Sequence, residues 1–170
     1  FLTNSDTEVL LTAYIEWQEA CTAYLNGIFA FSVWCEEEKS LFLCRDRMGV
    51  KPLFYTERNG EILFASEIKS LLAHPTIKPI VDRQGLAGLL SIGPSRVLGK
   101  TVYKDIVELK PAHYLKITPN EKRLVRYWDV TDQAHTDDEQ ETIENVRLLL
   151  KNAIERQLVS DVPLCRSEEH

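Results

Sequence analysis

Apolar and polar positions change their period several times along this chain, and each change marks an element. Val9, Leu10, Ala13, Tyr14 and Trp17 recur at three- and four-residue spacing, which predicts an amphipathic helix over residues 6–20. Ser5, with Glu8 three residues later, predicts a capping box at its start, each side chain satisfying an orphan backbone donor. After Asn26-Gly27 the period shortens. "IFAFSVW" (28–34) and "SLFLC" (40–44) are dense in β-branched and aromatic residues, and the polar "CEEEK" joining them predicts a hairpin. "LFY" (53–55) and "ILFAS" (62–66) predict a second hairpin across Asn59-Gly60, a dipeptide suited to the positive φ angles of a tight turn.

A short helix is expected over 67–72, closed before Pro75. Asp82 is placed to cap another that runs to about residue 90 and is ended by Gly93-Pro94. Residues 95–105 read as loop, and "HYLKI" (113–117) with "LVRYWDV" (124–130) predicts a final hairpin. "TDQAHTDDEQ" (131–140) has no periodicity and reads as a linker. Beyond it Ile143, Val146, Leu150, Ile154 and Leu158 form one apolar stripe, predicting a helix from about 141 to 159. The expected architecture is mainly antiparallel β with flanking helices, then the first helix of a further unit.

Composition narrows the function classes. A chain of 170 residues can bury one substantial core. A formal net charge of −6, with no clustered basic stretch, argues against nucleic acid as a partner. The acidic runs Glu36-Glu37-Glu38 and Asp137-Asp138-Glu139 read as solvated turns. Cys21, Cys35, Cys44 and Cys165 are far apart and form no CxxC pair, so they are expected as free thiols in a reducing cytosol rather than zinc ligands or a disulfide framework. His74, His113 and His135 are too scattered for a metal site, and none is expected. No apolar run is long enough to cross a bilayer, so no membrane partner is expected. "FLTNSDTE" also lacks the basic start and apolar middle of a signal peptide.

Six stretches carry a resemblance. "NSDTEVLL" (4–11), "LNGIFAFSVW" (25–34), "RDRMGVKPLFY" (45–55), "FASEIKSLL" (64–72), "RYWD" (126–129) and "SDVPL" (160–164) stand in the order found in glutamine-hydrolysing asparagine synthetases, and the first three also resemble the wider class II glutamine amidotransferases. The resemblance implies an α+β fold: a layered Ntn-hydrolase-type glutaminase domain over 1–130, incomplete at its N-terminus, a linker at 131–140, and the truncated start of an ATP-pyrophosphatase-like synthetase domain at 141–170. It implies a cytoplasmic ligase in which glutamine hydrolysis supplies ammonia for the amidation of aspartate, with ATP and Mg²⁺ as cofactors of the whole protein and a homodimer as one arrangement. The alternatives are a related amidotransferase acting on a peptide or specialised metabolite, or a non-catalytic scaffold.

Residue by residue, the resemblance places the α-amino group of glutamine on Asp6, since a carboxylate makes a strong, directional charge-assisted bond to an ammonium. The family's N-terminal cysteine nucleophile, its substrate arginine and its oxyanion donors are expected upstream of Phe1, so the fragment alone is expected to be inactive and no catalytic residue is assigned. Cys21 offers no N-terminal amine and is not taken as a substitute, and Asn26-Gly27 reads as a helix-to-strand turn. "RDRMGVKPLFY" reads as a structural corner, with Arg45 and Asp46 expected to pair locally, Gly49 allowing a tight turn, and Pro52 leading into the next strand. The family usually carries glycine where Ala112 stands.

Overall fold

The computed structural model describes residues 2, 3, 5–92 and 97–158. The expectations for Gly93-Pro94, for "SDVPL" and for Cys165 lie outside the described residues. The chain divides into two compact units, Phe1–Val130 and Thr131–His170.

The first unit is layered helix, sheet, sheet, helix. Helix α1 (Asp6–Trp17) continues into a 3-10 turn (Gln18–Ala23). Strands β1 (Ala30–Cys35) and β2 (Ser40–Arg45) form the first hairpin. Strands β3 (Phe54–Arg58) and β4 (Glu61–Ala65) form the second, across a turn in which Asn59 and Gly60 both take positive φ, 52° and 79°. Helix α2 (Ile68–Leu72) and helix α3 (Arg83–Ile92) follow, then β5 (Val107–Glu108), β6 (His113–Ile117) and β7 (Lys122–Arg126). All ladders are antiparallel, in two sheets ordered β1-β2-β6-β7 and β4-β3-β5.

Alternation of side chains along each strand builds three apolar layers. On one face of the larger sheet Phe42, Cys44 and Tyr114 pack with Ala13, Tyr14 and Cys21 of the α1 region. On its other face Leu43 and Leu115 meet Leu53, Tyr55 and Leu109 from the smaller sheet. Beyond that sheet Phe54 packs with Leu71 of α2, Ile77 and Ile106. Strand β2 is covered on both faces, which is why "SLFLC" reads as a continuous run rather than an alternation.

Several expectations need correction. No capping box forms at α1. The Ser5 hydroxyl accepts from Thr7 N at 3.2 Å, while the Glu8 carboxylate reaches further back, accepting from the Leu2 and Thr3 amides at 2.7 Å each. The α-helix stops at Trp17 because Gln18 turns to φ 50°. Strand β7 lies at 122–126 rather than 124–130. After it Tyr127 leaves the ladder, donating its amide to Ala112 O at 2.9 Å and its hydroxyl to Arg45 O at 2.6 Å. The two-residue β5 was not expected at all.

At the corner of residues 45–52, Arg45 and Asp46 hold the backbone, but they do not pair with each other. Adjacent side chains at a strand end diverge, and each of these finds its own partners. Arg45, 4% exposed, meets Glu108 Oε1 at 2.9 Å through Nη1 and also donates to the carbonyls of Gly49, Lys51 and Leu109. Asp46, 1% exposed, accepts from the amides of Met48, Val50 and Lys51 at 3.0–3.1 Å. Gly49 sits at φ 67° with Pro111 against it, so close that an added Cβ would lie 2.6 Å from the proline ring. Ala112 holds φ 57°, a left-handed conformation that glycine adopts at less cost than alanine.

The second unit is built around helix α4 (Glu139–Gln157), which starts two residues earlier than expected. Its capping box is genuine: Asp138 Oδ1 accepts from Glu141 N at 2.8 Å, and Glu141 Oε2 accepts from Asp138 N at 3.2 Å. None of its residues is buried.

Candidate functional site

The N-terminal turn of α1 and the outer edge of β1 face a common groove of about 490 Å³, a volume in the range of small-ligand sites. Asp6, Thr7, Leu10 and Leu11 line it from the helix, Ile28 to Trp34 from the strand and its approach, Lys51 from the corner, and Ser66 from the end of β4. Strand β1 is an edge of its sheet, paired only with β2, so its outer backbone groups meet no other strand among the described residues. Helix α1 starts here because Ser5 caps it, and the positive end of the helix favours the acidic Asp6 and Glu8 in its first turn.

Asp6 is exposed toward this groove, on a helix pinned to the core by Ala13 and Tyr14. A carboxylate on a rigid helix terminus, with the Thr7 and Ser66 hydroxyls and an open strand edge in the same groove, can hold a small polar molecule by an ammonium group. Of the residues lining this groove, the family resemblance of "NSDTEVLL" names only Asp6. Lys51 and Ser66 were missed, because each lies in a stretch whose local pattern speaks of a turn or a strand end. Their meeting with Asp6 depends on how β4 and the corner sit beside α1, which no local spacing reveals.

Cys21 is fully buried in the 3-10 turn, facing the core beneath α1. Burial, with the Glu19 charge adding to it, pushes its thiol up to about 11. A raised pKa leaves little of this thiol as the reactive thiolate near neutral pH. Asn26 and Gly27 are exposed connecting residues ahead of β1.

Comparison with known proteins gives this geometry a family. The family described as a glutamine amidotransferase domain matches residues 1–128. The chain is similar to glutamine-hydrolysing asparagine synthetase 3 of Bacillus subtilis (strain 168), with 53% identity over 97% of this chain and 27% of that protein. It is 36% identical to glutamine-hydrolysing asparagine synthetase 2 of the same organism, over 95% of this chain and 23% of the relative. To amidase chry2 of Gibberella zeae it is 34% identical, over 96% of this chain and 24% of the relative. The chain therefore spans about a quarter of the length of the curated relatives it matches. Among solved structures, glutamine phosphoribosylpyrophosphate amidotransferase from B. subtilis aligns with a TM-score of 0.49 and 19% identity, over 75% of this chain and 24% of that one. With residues 1–128 matched, well over half of its length, the chain belongs to the glutamine amidotransferase domain family.

Proposed function

We propose that this chain is the glutaminase part of a glutamine-dependent asparagine synthetase, in which ammonia released from glutamine amidates aspartate. The observation that carries this reading is the 53% identity, over 97% of the chain, to a glutamine-hydrolysing asparagine synthetase. The layering of helix, two antiparallel sheets and helix supports an Ntn-hydrolase-type glutaminase domain. Helix α4, which buries nothing within its own unit, is read as the opening helix of a synthetase domain. The whole protein is read as a cytoplasmic enzyme using ATP and Mg²⁺, with a homodimer as one assembly. No described residue is assigned to either cofactor, and no three His, Cys, Asp or Glu side chains cluster as a metal site among them. The other reading, an amidotransferase acting on a specialised metabolite, leans on an amidase relative at 34% identity and is the weaker for that.

In this reading Asp6 holds the α-ammonium of glutamine. The test is made in the whole enzyme with glutamine or ammonia as nitrogen donor. Asp6→Ala is expected to lower kcat/KM for glutamine by tens- to hundreds-fold, a loss of about 2–4 kcal/mol, and to leave ammonia-dependent asparagine formation nearly intact. An equal loss with both donors would assign Asp6 to folding of α1 instead. Absence of asparagine formation from aspartate with either donor in the unmutated enzyme would overturn the synthetase reading itself.

A further inference from the structure

The corner sequence contains one residue that neither the fold nor the groove uses. Arg45 and Asp46 are buried and saturated, whereas the next residue, Arg47, projects over the ring of Trp128, its guanidinium carbon 5.9 Å from the ring centroid. An aromatic face fixes the plane of a guanidinium and leaves its N–H edge free to donate. The Arg47 Nε is itself buried and has no hydrogen-bond partner among the described residues, although a buried donor ordinarily finds one. Beside it opens a cavity also lined by Lys110, His113, Arg126 and Asp129, sharing no residue with the Asp6 groove.

The charges of this cavity do not balance. Asp129 is its one carboxylate among the described residues, and it is already engaged. One oxygen meets Arg126 Nη1 at 2.8 Å and the other accepts from the Val130 amide at 3.0 Å. Arg47 and Lys110 have no carboxylate partner among the described residues. His113 Nδ1 lies 2.7 Å from Pro111 O and so donates to it, leaving Nε2 as the ring's free polar atom. Two uncompensated cations, one of them a planar fork held on an aromatic ring, call for two negative charges on one compact group. A carboxylate brings one. A phosphate brings two, with oxygens spaced for a guanidinium fork.

We propose that this cavity is a binding site for a phosphate-class oxyanion, held by Arg47 and Lys110 with Trp128 fixing the guanidinium. The source is free phosphate or the phosphate of a small ester, and both present the same group. The test titrates the 170-residue chain with inorganic phosphate, and separately with glycerol 3-phosphate, by calorimetry at constant ionic strength, with acetate as a monoanion control. Saturable phosphate binding is expected, weakened tenfold or more by Arg47→Gln and by Lys110→Gln, with Arg47→Lys falling between because it keeps the charge and loses the fork. Ester binding tenfold tighter than phosphate would identify an ester as the source, and equal affinities would identify the free ion. Thermal melting checks that each variant folds; if Arg47→Gln does not, the exposed Lys110→Gln carries the test alone. No saturable binding of either probe up to about 20 mM, or acetate binding as tightly as phosphate, or affinity unchanged in the folded variants, would overturn the proposal.

Discussion

Helices α1 and α4 are both capped at their first turn and both striped with apolar residues, yet only α1 lies on a core. Ala13 and Tyr14 of α1 are buried, and the Tyr14 ring sits 4.9 Å from that of Phe42 on β2. Ile143, Val146, Leu150 and Ile154 of α4 remain 45–60% exposed. Caps and periodicity are properties of a segment, satisfied within a few residues of sequence. Burial is a property of a pair of surfaces. A stripe at helical spacing therefore reports that a helix forms, and leaves open whether anything in the same unit covers it.

Substitutions can break this contrast, and the largest effect is expected at Tyr14. Tyr14→Ala removes a buried ring from the layer between α1 and β2 and is expected to cost about 3–5 kcal/mol, read as a lower urea midpoint. The caps should behave alike in the two helices, where burial does not. Asp138→Ala is expected to cost α4 about 1 kcal/mol, seen as lost helical signal and faster amide exchange at 139–145, because the Glu141 amide loses its carboxylate acceptor.

Tyr14→Phe should sharpen the comparison in the other direction. The Tyr14 hydroxyl is buried without a hydrogen-bond partner among the described residues, so its removal is expected to stabilise the fold by up to about 1 kcal/mol. The same hydroxyl gives a pH signature. Burial first, then the Glu19 and Glu38 charges, push its pKa up from 10.0 to about 12. A raised pKa means that the stabilising neutral form is fully present below pH 10 and is lost as pH climbs from there toward 12. Stability of the unmutated chain should fall over that window, and Tyr14→Phe should fall less. The smallest effect belongs to α4. Leu150→Ala is expected to change the unfolding free energy by less than about 0.5 kcal/mol, because the side chain is already 60% exposed. A cost near that of Tyr14→Ala would mean that α4 is covered after all.

What could be read from the sequence follows the same division. Both hairpins were legible because a turn dipeptide or a polar break stood between β-rich runs, and Asn59-Gly60 took the positive φ angles expected of it. Strand β7 was misplaced because its true residues, "KRLVR", are mostly charged and exposed, while the aromatic stretch after them looks more strand-like and instead anchors Tyr127 to the corner. Two-residue β5 has no pattern to read: Glu108 sits there buried, paired with an arginine 63 positions away. The same distance hid the true partner of Arg45, so its sequence neighbour Asp46 looked like the match. At the groove Asp6 was legible through the resemblance of "NSDTEVLL" to a family motif, whereas Lys51 and Ser66 reach it only through tertiary packing.

The pairing of β2 has a consequence for how the chain is made. Its first neighbour, β1, is joined by a short turn, but its second neighbour is β6, with Leu43 opposite Leu115 about 70 residues later. Translation at 5–20 residues per second puts roughly 4–14 s between the emergence of the two strands. For that interval the nascent chain carries the strand that will be its most enclosed with one ladder edge bare and one apolar face uncovered. Closure waits on a long, entropically costly loop, of which the β3–β4 hairpin takes up only a part. During synthesis, the most buried strand of the finished fold is thus the one most in need of a chaperone.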